Sequence, residues 1–181
     1  MFGRVILIVI MAMSFAPAVQ AAEGIDCVYE GLTLTERQRI PTLLEPGPEL
    51  EALLQRQLDV CTASHGWSAD ATQLAQLITI FHFLEDEIRT ETRLSRHQID
   101  ALYLAYEAST PEERDANIGP LLAAMIQRTR RPSYTPEQRT FFDRLGRSAG
   151  IAQNNGSGMS GDELLVMRYT RERLALIFNE M

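Results

Sequence analysis

Residues 69–92 read ADATQLAQLITIFHFLEDEIRTET, and the spacing of their apolar side chains decides the fold class. Leu74, Leu77, Ile78, Phe81, Leu84 and Ile88 recur at three- and four-residue intervals, the period of an α-helix; a strand would alternate at every second residue. Ile80 and Phe83 fall off that stripe. A helix apolar around so much of its circumference belongs at the centre of a packed domain. Ser68 stands at its N-cap.

The pattern repeats on both sides. Leu50, Leu53, Leu54, Leu58 and Cys61 share one face of a helix over about 49–64, which Gly66 stops. Thr33-Leu34-Thr35-Glu36 and the overlapping Thr35-Glu36-Arg37-Gln38 fit the capping-box pattern and open a short helix that Pro41 ends. Glu45-Pro46-Gly47-Pro48 reads as a turn. Downstream, Ser95 with Gln98 opens a helix carrying Ile99, Leu102, Tyr103 and Tyr106 on one face. Thr110-Pro111-Glu112-Glu113 opens another, interrupted at Gly119-Pro120 and resumed through Leu121, Leu122, Met125 and Ile126 until Pro132. Thr135-Pro136-Glu137-Gln138 opens a helix through Phe141, Phe142 and Leu145. Gly150 to Gly161 reads as a loop. Ser160 with Glu163 starts the last helix, with Leu164, Met167, Leu174 and Phe178 inward. The expectation is all-α: a single domain over residues 22–181, of six to seven helices in an irregular or orthogonal bundle, with one disulfide.

Residues 1–21 have the parts of a cleavable signal peptide: Arg4, the apolar run Val5 to Phe15, and Val19-Gln20-Ala21 at the cleavage site. That run is short of the roughly 20 residues a bilayer span needs. No later segment is apolar enough, so no stable membrane insertion is expected after cleavage. The expected location is periplasmic or secreted. In that setting the two cysteines, Cys27 and Cys61, form a disulfide. The chain has a net charge of −7, with 17 arginines and no lysine. Losing the leader removes Arg4 and no acid. Acidity and export together argue against a nucleic-acid partner.

Few residues suggest chemistry. His82, Glu85 and Asp86 fall on adjoining turns of one helix and offer an imidazole and two carboxylates, a weak metal-binding candidate. With Arg89 they also make the i,i+4 pairs His82–Asp86 and Glu85–Arg89. Glu85 falls within its helix's apolar stripe and Arg171 within that of the last helix, so the two are expected to meet as a buried ion pair. His65 reads as a helix C-terminal residue and Trp67 as a core plug beside the disulfide. Arg128, Arg130 and Arg131 form a basic cluster at a helix end. The Gly156 to Gly161 segment lacks the lysine and preceding strand of a phosphate loop, and Asn155-Gly156-Ser157 is a glycosylation sequon. No Gly-x-Ser-x-Gly or His-Glu-x-x-His motif occurs, so no catalytic residue and no cofactor is nominated.

Leu34-Thr35-Glu36-Arg37-Gln38 resembles the Leu-Thr-x-x-Gln phrase of the Spy/CpxP family of periplasmic stress proteins, with looser copies at Leu94 to Gln98 and Tyr134 to Arg139. The resemblance implies an exported, all-helical, non-enzymatic protein that binds clients or signals envelope stress. The residues themselves favour a non-catalytic module that binds a protein or small-molecule ligand. An envelope hydrolase acting on cell-wall glycan and a metal-binding protein are the alternatives.

Overall fold

The computed structural model describes residues 24–40, 48–126, 134–151 and 158–181. The leader, the Pro46-Gly47 turn, the cluster of Arg128, Arg130 and Arg131, the sequon at Asn155 and the Ser160 cap lie outside the described residues and side chains. Among the described residues there are nine helices and no strand: α1 (Cys27–Gly31), α2 (Leu34–Arg39), α3 (Pro48–His65), α4 (Ala69–Glu91), α5 (Arg96–Glu107), α6 (Pro111–Asn117), α7 (Gly119–Ile126), α8 (Pro136–Ser148) and α9 (Gly158–Asn179). The protein is all-α. The count exceeds the sequence expectation because Cys27–Gly31 makes a helix of its own and the break at Gly119 separates α6 from α7.

The chain divides into two compact units. Unit 1 comprises residues 1–83 and 172–181, and unit 2 residues 84–171; α4 and α9 contribute residues to both. In unit 1, Leu50, Leu54, Leu58 and Cys61 line the buried face of α3 as their spacing predicts. The Cys27–Cys61 disulfide joins α1 to α3, with Cα atoms 6.0 Å apart. Gly66 ends α3 with a left-handed φ of 65°, and the N–H groups of Gly66 and Trp67 both return to the Thr62 carbonyl. Trp67 then turns into the core, its ring edge-on to Phe178 at 5.4 Å. Phe178 is fully buried, a contribution of about 1.5–3 kcal/mol.

The inward face of α4 is rotated from the one its leucines suggest. Ala71, Ala75 and Ile78 are buried, Leu77 is 43 % exposed, and Phe83, off the expected stripe, is 2 % exposed. Small alanine side chains let a helix backbone approach its neighbours closely, so here the alanines set the face and the leucine is left outside. A second difference concerns Gly161, which the sequence assigns to a loop. It lies inside α9 in unit 2, where a Cβ would touch Leu102 at 3.4 Å. Its role is close packing and not chain reversal. One turn of α9 is enclosed on every side, with Leu164, Leu165, Val166 and Met167 all buried.

Four helices start with a complete capping box: Thr33/Glu36, Ser95/Gln98, Thr110/Glu113 and Thr135/Gln138. In each, the N3 side chain uses one arm for the cap and the other for a distant segment. Gln98 accepts from Ser95 N–H and donates to the Gly150 carbonyl at 3.2 Å. Gln138 accepts from Thr135 N–H and donates to the Asn117 carbonyl at 3.0 Å. Glu113 accepts from Thr110 N–H and from Arg144 at 3.0 Å. Glu36 accepts from Thr33 N–H and from Arg56. The bonds from Arg56 and Thr33 hold the Glu36 carboxyl down at about 2. Glutamine thus stands where the distant partner is a carbonyl, and glutamate where it is an arginine.

Candidate functional site

The most enclosed charge among the described residues is Glu85 on α4, 2 % exposed and within unit 2. Tyr103 on α5 donates its hydroxyl to Glu85 Oε1 at 2.7 Å, and Arg171 Nη2 on α9 lies 3.3 Å from Oε2. Oε1 is therefore hydrogen-bonded, whereas the buried Oε2 accepts no hydrogen bond and is met by the charge of Arg171 alone. Arg171 is itself mostly covered. A second layer encloses the phenol. The Arg168 guanidinium sits 4.5 Å from the Tyr103 ring centroid and Arg89 5.9 Å from it. Arg168 is fixed by Glu107 at 2.8 Å, and Arg89 lies 3.8 Å from Asp86. Burial, reinforced by the charge of Glu85, raises the Tyr103 pKa far above that of a free phenol. The phenol is held as a donor and does not release its proton. Chemically the cluster is one charge-assisted hydrogen bond and one ion pair on the same carboxylate, a brace between α4, α5 and α9.

The metal-binding candidate is not assembled. Among the described residues no group of three or more His, Cys, Asp or Glu side chains converges on a common point. Glu85 is directed to Tyr103 and Arg171, while Asp86 lies on the arginine side. His82, in unit 1, is stacked on Tyr29 with ring centroids 3.7 Å apart and 14° between the planes. Arg37 covers the Tyr29 ring at 4.6 Å and donates to the carbonyls of Leu32 and Glu30. His82 is thus part of a layered packing motif beside the disulfide-bonded α1. His65 likewise stacks near Trp67, at 5.6 Å.

Two features escape the sequence pattern. Tyr103 belongs to the apolar face of α5 by spacing, and only the rule that a buried phenol needs an acceptor points to Glu85. The other is Asp162, near the start of α9. It is mostly buried, and that burial, with the carboxylates of Asp143 and Glu163, pushes it up to about 7 against a weaker opposing hydrogen bond from Tyr134. Tyr134, edge-on to Phe142 at 5.4 Å, is pushed up to about 12, chiefly by burial. The sequence signal is faint: one acid beside another, two residues before the wholly buried turn that begins at Leu164. Unit 2 also has an open groove of about 380 Å³ between α6 and α8, with Phe141 and Arg144 on one side and Glu113 on the other.

On the outer surface the notable feature lies at the end of α9. Leu176 is 53 % exposed and Ile177 48 %, immediately before the fully buried Phe178. At 100° per residue Leu176 stands 200° from both Leu174 and Phe178, opposite the packed face. Among the described residues no helix is long and apolar enough to cross a membrane. Comparison with known protein families, with curated proteins and with solved structures gives no match for this chain.

Proposed function

We propose that this chain is exported through its leader and acts outside the cytoplasm as a non-catalytic module that binds a protein partner through the exposed end of α9. The observation that carries the reading is Leu176 and Ile177, two large apolar side chains about half exposed on a helix that buries Phe178 and packs Leu174 on its other side. Folding gains nothing from apolar groups in that position, whereas association does. The Cys27–Cys61 disulfide supports the compartment, because such bonds persist where the surroundings are oxidising. The interior placement of Glu85, Tyr103 and Arg171 supports a bracing role for that charge cluster.

Two measurements test the proposal together. The mass of the chain recovered from outside the cytoplasm is expected to correspond to a start at residue 22 with both cysteines oxidised. A photo-crosslinking amino acid placed at 176 in the producing cell is expected to yield a covalent polypeptide adduct that the same probe at exposed Arg139 does not. An intact leader removes the export half of the reading. Equal adducts at 176 and 139, or none at either, remove the binding half.

A further inference from the structure

We infer that the partner of unit 1 is a basic amphipathic helix; this rests on the binding reading above and adds the partner's chemistry. Two properties of the surface coincide in the same unit. Of the large apolar side chains that stand well exposed among the described residues, Leu34, Val60, Leu77, Leu176, Ile177 and Met181 belong to unit 1, and Leu104 alone belongs to unit 2. The charge is divided in the same direction. Unit 1 carries eleven Asp and Glu against five arginines, one of them Arg4 in the leader, whereas unit 2 carries thirteen acids against twelve arginines. Nearly all of the net negative charge therefore lies on the unit that also displays the apolar side chains.

The local pattern agrees with the global one. Leu176 has Glu172 four residues before it and Glu180 four after, with Arg173 three before, so acids outnumber bases two to one around it. Asp70 lies two turns ahead of Leu77 on the same face of α4; beside Val60 on α3 stand Asp59 and, one turn before it, Arg56, whose charge is taken up by Glu36. A ligand matching this texture presents leucine-like side chains with arginine or lysine on either side at helical spacing. The apolar contact supplies affinity, while the charges set orientation and speed association. An acidic or neutral partner meets either repulsion or no steering from the same surface.

Fluorescence anisotropy with three labelled 18-residue peptides and the full mature protein tests the inference. One peptide is an amphipathic helix of leucine and lysine, the second replaces every lysine by glutamate, and the third replaces every leucine by serine. The leucine–lysine peptide is expected to bind at least tenfold more tightly than either of the others and to weaken several-fold between 20 and 200 mM salt. The double substitution Leu176→Gln/Ile177→Gln is expected to cost at least tenfold in that affinity. Leu104→Gln, on unit 2, is expected to leave it unchanged. Equal affinity for the glutamate peptide overturns the basic character of the partner, and equal affinity for the serine peptide overturns the apolar contact. Absence of binding, or equal losses in the two variants, overturns the inference as a whole. A position-specific adduct at 176 would still stand in each of those cases, so failure of the partner's chemistry is distinguishable from failure of the binding reading.

Discussion

Replacing Glu85 by glutamine preserves the shape of the side chain but removes the charge that faces Arg171. The remaining guanidinium is mostly buried without its counter-ion, so Glu85→Gln is expected to cost about 1–3 kcal/mol in urea unfolding, somewhat less than the loss of a fully buried pair. Tyr103→Phe removes one hydrogen bond to a charged acceptor and is expected to cost about 1.5–3 kcal/mol by the same measurement. Asp162 behaves in the opposite sense. Its carboxyl titrates near 3.8 when unfolded and at about 7 when folded, so between those values the folded chain binds more protons. Its contribution to stability therefore falls as pH rises from about 4 to about 7 and stays low above that. Asp162→Asn is expected to raise the urea midpoint at pH 8, by roughly 1–2 kcal/mol of stability. At pH 4 the variant and parent should coincide; a gain of equal size at both values would mean that charge is not the cause. The inward positions of Glu85 and Arg171 are legible in the sequence as phases on two helices. Tyr103 and Asp162 are less so, because what distinguishes them is the set of groups that faces them across the fold.

At the level of helices, the four capping boxes have one design with two endings. Gln138 is 5 % exposed, and its amide donates to the Asn117 carbonyl, which a carboxylate cannot do. Gln138→Glu keeps the cap acceptor but places a charge opposite a carbonyl, and is expected to cost about 1–3 kcal/mol in thermal or urea unfolding. Glu113→Gln, half-exposed beside Arg144, is expected to cost only a few tenths of a kcal/mol. Reversal of that order would show that the second arm of the box is incidental. The boxes themselves are legible from Ser or Thr followed three residues later by Glu or Gln. Their second arms are not, since the partners lie 20 to 52 residues away in sequence. The face of α4 fails for a related reason. Leucine spacing describes what a helix offers, while Ala71 and Ala75 describe how closely something else comes, and only the assembled packing tells which governs.

For the whole molecule, the all-α class and the Cys27–Cys61 pairing follow from sequence periodicity and cysteine count, whereas the division into two units does not. Nothing interrupts the apolar pattern of α4 at residue 83, and a helix that continues without a break carries no mark of where its neighbours change. Removal of the disulfide by Cys61→Ala is expected to cost about 2–5 kcal/mol, with reductant making little further difference to that variant. An unchanged unfolding midpoint for the parent under reducing conditions would contradict that role. The placement of Phe178 also bears on the order in which the molecule comes into being. A ribosome delivers residues 84–171 as one uninterrupted stretch, so unit 2 has all of its parts before Phe178 is made. Unit 1 begins earlier but lacks the ring that packs against Trp67 until residue 178 is added. The portion started first is thus the portion finished last, and through that interval the 34-residue span between its two cysteines is the one covalent clasp available to hold it together.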